Sequence, residues 1–218
     1  MKQTSLLLVI IAIFSFSSSG QIKKGSVLLG GQLSWNSYKL ERNTPQSDYK
    51  RNYGNFSVSA GKTIKDNSVL GLYAGYGTGK EENYNNGFTY FNSRSSNYNA
   101  GLFYRRYVKL ARDFYFFGEA AGGYSGDDRT DIELLSGNKT KTNRSGGELF
   151  ITPGISYRVY RKLQIELQIP RIANLQYTSS KTTAPTAAAS YKEKAINFNT
   201  SLSTSLLSSV GVGFRFVL

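Results

Sequence analysis

The chain has no cysteine and no histidine, and only one tryptophan, one methionine and four prolines among 218 residues. Lack of cysteine excludes a disulfide framework, a thiolate nucleophile and attachment of lipid through cysteine. Lack of histidine removes the most frequent acid–base group and the commonest metal-ligating nitrogen. Acidic residues are sparse, 14 against 27 lysines and arginines, so the formal net charge is +13. Mean hydropathy is negative and no long apolar run follows residue 16, which argues against a protein spanning a membrane with helices of about 20 apolar residues.

The one apolar run that exists is Leu6–Phe16, preceded by Lys2 and followed by the small, polar Ser17–Gly20. A positive start, a short apolar centre and a small polar end are the layout of a secretory signal peptide. The expected organisation is therefore a leader, 1–20, and a single domain, 21–218.

What the domain has in quantity is tyrosine, phenylalanine and glycine, which number 16, 13 and 22 in the whole chain. They fall into eight segments that alternate with period two, the pattern of a strand with two unlike faces. VLLGGQLSW opens the series, with Val27, Leu29, Gly31, Leu33 and Trp35 on one side. NFSVSAGK, VLGLYAGYGT and NYNAGLFYRRY follow. In FYFFGEAAGGYS both faces begin aromatic, and Glu119 decides that Phe114, Phe116, Gly118, Ala120, Gly122 and Tyr124 form the outer face. GELFITPGISYRVY and LQIELQI come next, and SVGVGFRFVL closes the chain, its pattern reaching back through Leu206, Leu202 and Phe198.

The connections alternate in length. Those at 65–68, 109–112 and 160–162 are short, whereas 37–52, 78–96, 125–146 and 171–195 read as long polar loops. KTTAPTAAAS, 181–190, reads as a mobile low-complexity stretch. Short turns on the side of the termini and long loops on the other are the asymmetry of an outer-membrane barrel. The expected fold is an all-β, eight-stranded, antiparallel, up-and-down transmembrane β-barrel. Its termini and short turns would be periplasmic and its long loops extracellular, in a bacterial outer membrane. A secreted soluble β-barrel is the other reading of eight strands.

The faces favour the membrane. Hydrocarbon cannot satisfy a sheet edge, so a sheet in lipid must close. One parity is apolar throughout, and the other carries Gly, Ser and the charges Arg105, Glu119, Arg158, Glu166 and Arg215. An eight-stranded interior is just wide enough to be filled by side chains or one small ligand. Those five residues are therefore expected to form a lumen charge network, carboxylate to guanidinium, that fills the barrel. Of the aromatics near strand ends, Trp35, Tyr53, Tyr76, Tyr98, Tyr107, Phe114, Tyr124 and Tyr157, those facing lipid would form interfacial girdles.

With the hairpin rhythm on the page, NFSVSAGKTIKDNSVLGLYAGYG, YRRYVKLARDFYFFGEAAGGY, LFITPGISYRVYRKLQIELQI and the terminal GVGFRF resemble the strand–short turn–strand units of small outer-membrane β-barrel domain proteins of the Bacteroidota. The resemblance covers most of the chain after the leader. It implies location and architecture, and a role in bracing the membrane or as an accessory subunit of a larger outer-membrane machine. Val217 and Leu218 depart from it, standing after the last aromatic where a terminal phenylalanine is usual.

Function follows less directly. No spacing nominates a serine, lysine or glutamate constellation for catalysis, so the protein is expected not to be an enzyme and to need no cofactor. The acidic run GDDRTDIE places Asp127, Asp128, Asp131 and Glu133 close in sequence. Its spacing matches no calcium loop, and a solvated loop and a calcium site both stay open. The basic charge is scattered and the leader directs the chain out of the cytoplasm, so no nucleic acid is expected. The expected partners are outer-membrane lipid, lipopolysaccharide and a larger outer-membrane protein complex. A structural or accessory interaction subunit is the leading reading, with a narrow channel or carrier for a small solute as the second.

Overall fold

Alternating sequence with abundant Val, Ile, Phe and Tyr folds here as strand almost throughout. The computed structural model describes residues 22–40, 48–85, 88–134, 136–183, 190–200 and 210–218. The leader read at 1–20, Leu202, Leu206 and residues 184–189 of the low-complexity stretch lie outside the described residues. The strands are β1 (Val27–Leu40), β2 (Asp48–Lys65), β3 (Ser68–Asn85), β4 (Phe88–Lys109), β5 (Phe114–Glu133), β6 (Lys139–Tyr160), β7 (Leu163–Gln168), β8 (Ala173–Thr183), β9 (Tyr191–Thr200) and β10 (Gly211–Val217).

Each of β1 to β5 pairs antiparallel with the strand that follows it. β6 pairs with β7, β7 with β10, and β10 with β1, closing a ring of eight strands. The closing pair runs from Leu28↔Val217 to Leu33↔Val212. Beyond it Val27 and Leu218 each donate an N–H to the other's carbonyl, at 2.9 and 2.8 Å, so the last residue belongs to the wall. β8 resumes the path of β7 along β6, after a break at Pro170 and Arg171, and β9 pairs with β8. Arg171 adopts φ 54° at that break.

The burial pattern is inverted relative to a soluble protein. Leu72 is 62% exposed on the outside while Glu166 is 2% exposed within. An apolar wall around a polar interior is stable where lipid is the outer solvent, so the molecule is a transmembrane β-barrel and not a soluble one. Outward aromatics sit at two levels. Tyr76 and Tyr98 are cross-strand partners, and Tyr98 lies 6.4 Å from Tyr124, centroid to centroid. At the other level Phe114 and Tyr157 stand 4.6 Å apart. The stretch Phe114–Tyr124 between the two levels matches the 9 to 11 residues, roughly, with which a tilted strand crosses a bilayer. Tyr53 and Tyr107 do not join these girdles, because their parity points them inward.

The strands outrun the membrane. β2 and β3 have 18 residues each, β5 has 20, and β4 and β6 have 22. The segments 37–52, 78–96, 125–146 and 171–195, read from sequence as long loops, are thus largely continuations of the hairpins. Period-two apolarity disappears there for a physical reason. Above the bilayer both faces of the sheet are wet, so neither needs to be apolar.

The short turns are tight. Asp66 and Asn67 alone join β2 to β3, and Asn67 takes φ 61°. The Asn67 carbonyl accepts from Tyr107 N at 2.8 Å, and its N–H donates to Ile22 O at 3.0 Å, tying the segment before β1 beneath the barrel. Ile22 there belongs to an apolar cluster with Leu28, Val69, Phe103, Tyr107, Tyr115, Phe117 and Ala121.

Candidate lumen site

Register places the inward charges at defined heights. Arg105 on β4 stands directly opposite Glu119 on β5. Its guanidinium donates to Glu119 Oε2 through Nε at 2.8 Å and reaches the same oxygen through NH2 at 2.7 Å. Its NH1 lies 2.7 Å from each oxygen of Glu166 across the lumen. Arg215 on β10 meets Glu166 from the other side, Nε to Oε1 at 3.0 Å and NH2 to Oε2 at 3.3 Å. Tyr107 OH donates to Glu166 Oε1 at 3.1 Å, and Ser59 Oγ accepts from Arg215 at 3.3 Å. Phe117 lies under the Arg105 guanidinium, 4.1 Å from carbon to centroid.

Two arginines and two glutamates cancel in charge, and Arg105, Glu166 and Arg215 are each at most 4% exposed. Buried charges are tolerable only when paired and hydrogen-bonded in this manner. Together with the apolar side chains packed on either side of it, the network fills the lumen near the short-turn end.

The structure brings Arg105, Glu119, Glu166 and Arg215 together and leaves Arg158 out. Arg158 has the inward parity, but its height on β6 is that of the β4–β5 turn, where it pairs with Asp113 at 2.6 Å. Ser59 and Tyr107 complete the network, Tyr107 having been named from sequence only as a strand-end aromatic. The alternation of β4 marks Tyr107 as inward, but a tyrosine near a strand end reads equally well as a girdle residue.

Above the network a small pocket of about 80 Å³ leads into a wide polar chamber of about 790 Å³. A second ionic cluster lies at the chamber's far end. Glu81 accepts from Tyr53 OH at 2.7 Å and pairs with Arg51 at 3.1 Å and Arg129 at 3.0 Å, and Arg129 also holds Asp131 at 2.8 Å. Of the acidic run 127–133 Asp131 belongs to this cluster, and the run itself lies in strand β5 and not in a loop. Among the described residues no group of three or more acidic side chains could hold a metal ion. On the outer surface of the same end, the Lys80 ammonium 2.5 Å from Glu82 holds that carboxyl below its usual range, helped by Tyr84 OH.

No family model matches the sequence, and no curated protein matches it either. Among solved structures the chain is similar to a major outer membrane protein from Thermus thermophilus (10% identity, 88% of this chain and 99% of that one, TM-score 0.43). It is also similar to the outer membrane protein OprG from Pseudomonas aeruginosa (11% identity, 90% and 97%, TM-score 0.48). Neisserial surface protein A is a third (13% identity, 88% and 97%, TM-score 0.42).

Proposed function

We propose that this chain is a non-enzymatic barrel of a bacterial outer membrane, with a structural or accessory role in which the far ends of its hairpins are the contact surface for another protein. The observation that carries the reading is the length of β4 and β6, about twice what the bilayer needs. The excess builds a rigid wall of paired strand outside the lipid, where a mobile loop would cost more to order on binding. Short turns and termini face the periplasm in this reading.

Lipid is the other partner. At the short-turn end Lys23, Lys24, Lys62, Lys65, Arg112, Arg161 and Lys162 are exposed, against Asp66 and Asp113. On the opposite end Lys80, Arg94, Lys141 and Lys181 share the outward parity of the aromatic level below them. These two cationic belts suit the phosphates of phospholipid and lipopolysaccharide respectively.

The channel reading meets the Arg105–Glu166–Arg215 closure in its path. Planar-bilayer recording combined with native copurification separates the two. A silent bilayer and a stoichiometric membrane partner are expected. Clear single-channel steps from the unaltered protein, with no copurifying partner, would replace this reading by the channel.

A further inference from the structure

Alternation sorts the residues of β9 between lumen and lipid. Glu193, Ala195 and Asn197 line the chamber, so Lys192, Lys194, Ile196 and Phe198 point outward. Lys181 on β8 is the direct cross-strand partner of Lys192, and Lys194 stands opposite Ser179. Lys141 flanks them on β6, one step above the Asn143↔Lys181 pair. Strands β6, β8 and β9 contain two carboxylates, Glu148 and Glu193, and both face the chamber. The outward acid of the adjoining strand, Asp128 on β5, stands opposite Asn143. The ion pairs at this end, Arg51–Glu81, Lys80–Glu82, Arg129–Glu81 and Arg129–Asp131, include none of these lysines. Like charges placed directly opposite on a sheet repel. On the far side of the barrel the same juxtaposition is compensated. Lys39 faces Lys50 and Lys80 faces Arg94, but Glu82 stands opposite Lys50 and pairs with Lys80. Among the described residues, Lys181 and Lys192 have no carboxylate in that position.

Below the lysines the same face is apolar. Tyr177 is the partner of Ile196, and Leu175 of Phe198. Ile196 is 75% and Phe198 68% exposed, so on this wall their solvent is lipid. Register carries the outer aromatic level to this face, since Tyr124 stands opposite Gly147 and Gly147 opposite Tyr177. Lys194 and Lys192 thus lie two and four residues beyond that level, about 7 and 14 Å along the strand. That is the depth of lipid headgroups and not of acyl chains.

We propose that the outward face of β8 and β9 binds one lipopolysaccharide molecule, with its acyl chains over Ile196 and Phe198 and its phosphates among Lys181, Lys192 and Lys194. Phosphate oxygens supply the counter-charge that this face lacks and accept charge-assisted hydrogen bonds from the ammonium groups. A glycolipid with two phosphates can engage all three lysines, whereas a phospholipid with one leaves part of the repulsion in place. The site narrows the outer cationic belt to one face and rests on the reading above that the long hairpin ends lie outside the cell.

The test uses the full barrel folded in detergent, titrated with bisphosphorylated lipid A, monophosphorylated lipid A and phosphatidylglycerol, and read by native mass spectrometry. One bisphosphorylated lipid A per barrel should be held about tenfold tighter than either other lipid, the size of one charge-assisted contact. That comparison needs no variant. Lys181→Gln combined with Lys192→Gln should weaken binding by about tenfold or more. Lys39→Gln combined with Lys50→Gln removes the same charge from the far side and should leave binding unchanged. Lys192→Glu puts a carboxylate opposite Lys181, and should raise the unfolding temperature of the lipid-free barrel while lowering its affinity for lipid A. Equal retention of the three lipids overturns the proposal, as does undiminished binding in the Lys181→Gln, Lys192→Gln protein. Because the chain has no cysteine, Thr183→Cys gives a single thiol on the outward face of β8, expected to react with an impermeant maleimide on intact cells. Labelling without lipid preference in detergent overturns the lipopolysaccharide site alone. Absence of labelling overturns the outward assignment of this end, and the site with it.

Discussion

One nitrogen of Arg105 lies 2.7 Å from both oxygens of Glu166, a residue 61 positions away in the chain. The contact crosses the barrel and draws in Arg215, so one carboxylate satisfies two guanidinium groups that have almost no access to water. Glu166→Ala leaves both arginines buried and less than fully paired. We expect a loss of about 3–5 kcal/mol, the usual consequence of removing one partner of a buried ion pair. Denaturant unfolding in micelles measures it.

Arg158→Ala should behave differently. Its pair with Asp113 is partly exposed, 28% and 31% on the two side chains, and partly exposed pairs contribute about 0–1 kcal/mol. The same unfolding experiment should barely distinguish this variant from the parent. A loss as large as that of Glu166→Ala would place Arg158 energetically in the lumen network.

Gly101 and Gly123 are cross-strand partners on β4 and β5, and a Cβ on either would collide with a carbonyl of the facing strand, that of Gly122 or Ala100. Gly101→Val is expected to prevent tight closure of the wall. Heat-dependent gel mobility, which distinguishes folded from unfolded barrels, should show mostly unfolded protein. A fully folded variant would mean that the two strands can part without cost.

Asn67 holds φ 61° between β2 and β3. Glycine adopts this conformation freely, whereas a β-branched residue is strained there by about 1–3 kcal/mol. Asn67→Gly should keep the turn but lose the Asn67 side chain, and Asn67→Val should lower stability further. Thermal unfolding of the three proteins should follow the order asparagine, glycine, valine.

Glu82 gives a pH test outside the bilayer. Its carboxyl is held below the usual carboxylate range chiefly by the Lys80 ammonium, which hydrogen-bonds to it. A depressed folded value means that the pairing stabilises the end of β3 above the unfolded value and is lost as pH falls through the depressed one. Side-chain carboxyl titration by NMR should show the midpoint rising in Lys80→Ala. An unmoved midpoint would assign the depression to Tyr84.

How far the sequence could be read depends on the solvent each residue meets. Between the two aromatic levels lipid lies on one side and packed lumen on the other, so Leu163, Ile165 and Leu167 declare the outer face and Gln164 and Glu166 the inner one. Parity alone therefore makes Arg105, Glu119, Arg158, Glu166 and Arg215 inward. Beyond Tyr124 and Tyr98 water wets both faces and the signal ends, which is why strand residues such as Arg129 and Lys141 read as loop.

By itself the sequence determined the ring of eight strands, its closure through the last segment and the set of inward charges, because period two and the avoidance of sheet edges in lipid are local rules. Only the tertiary structure decided height. Stagger between neighbouring strands sets which inward residues share a level, and alternation carries no information about stagger. That is why Glu166 meets both Arg105 and Arg215, why Arg158 finds Asp113, and why Asn55, Asn99 and Glu148, from three different strands, line a single chamber.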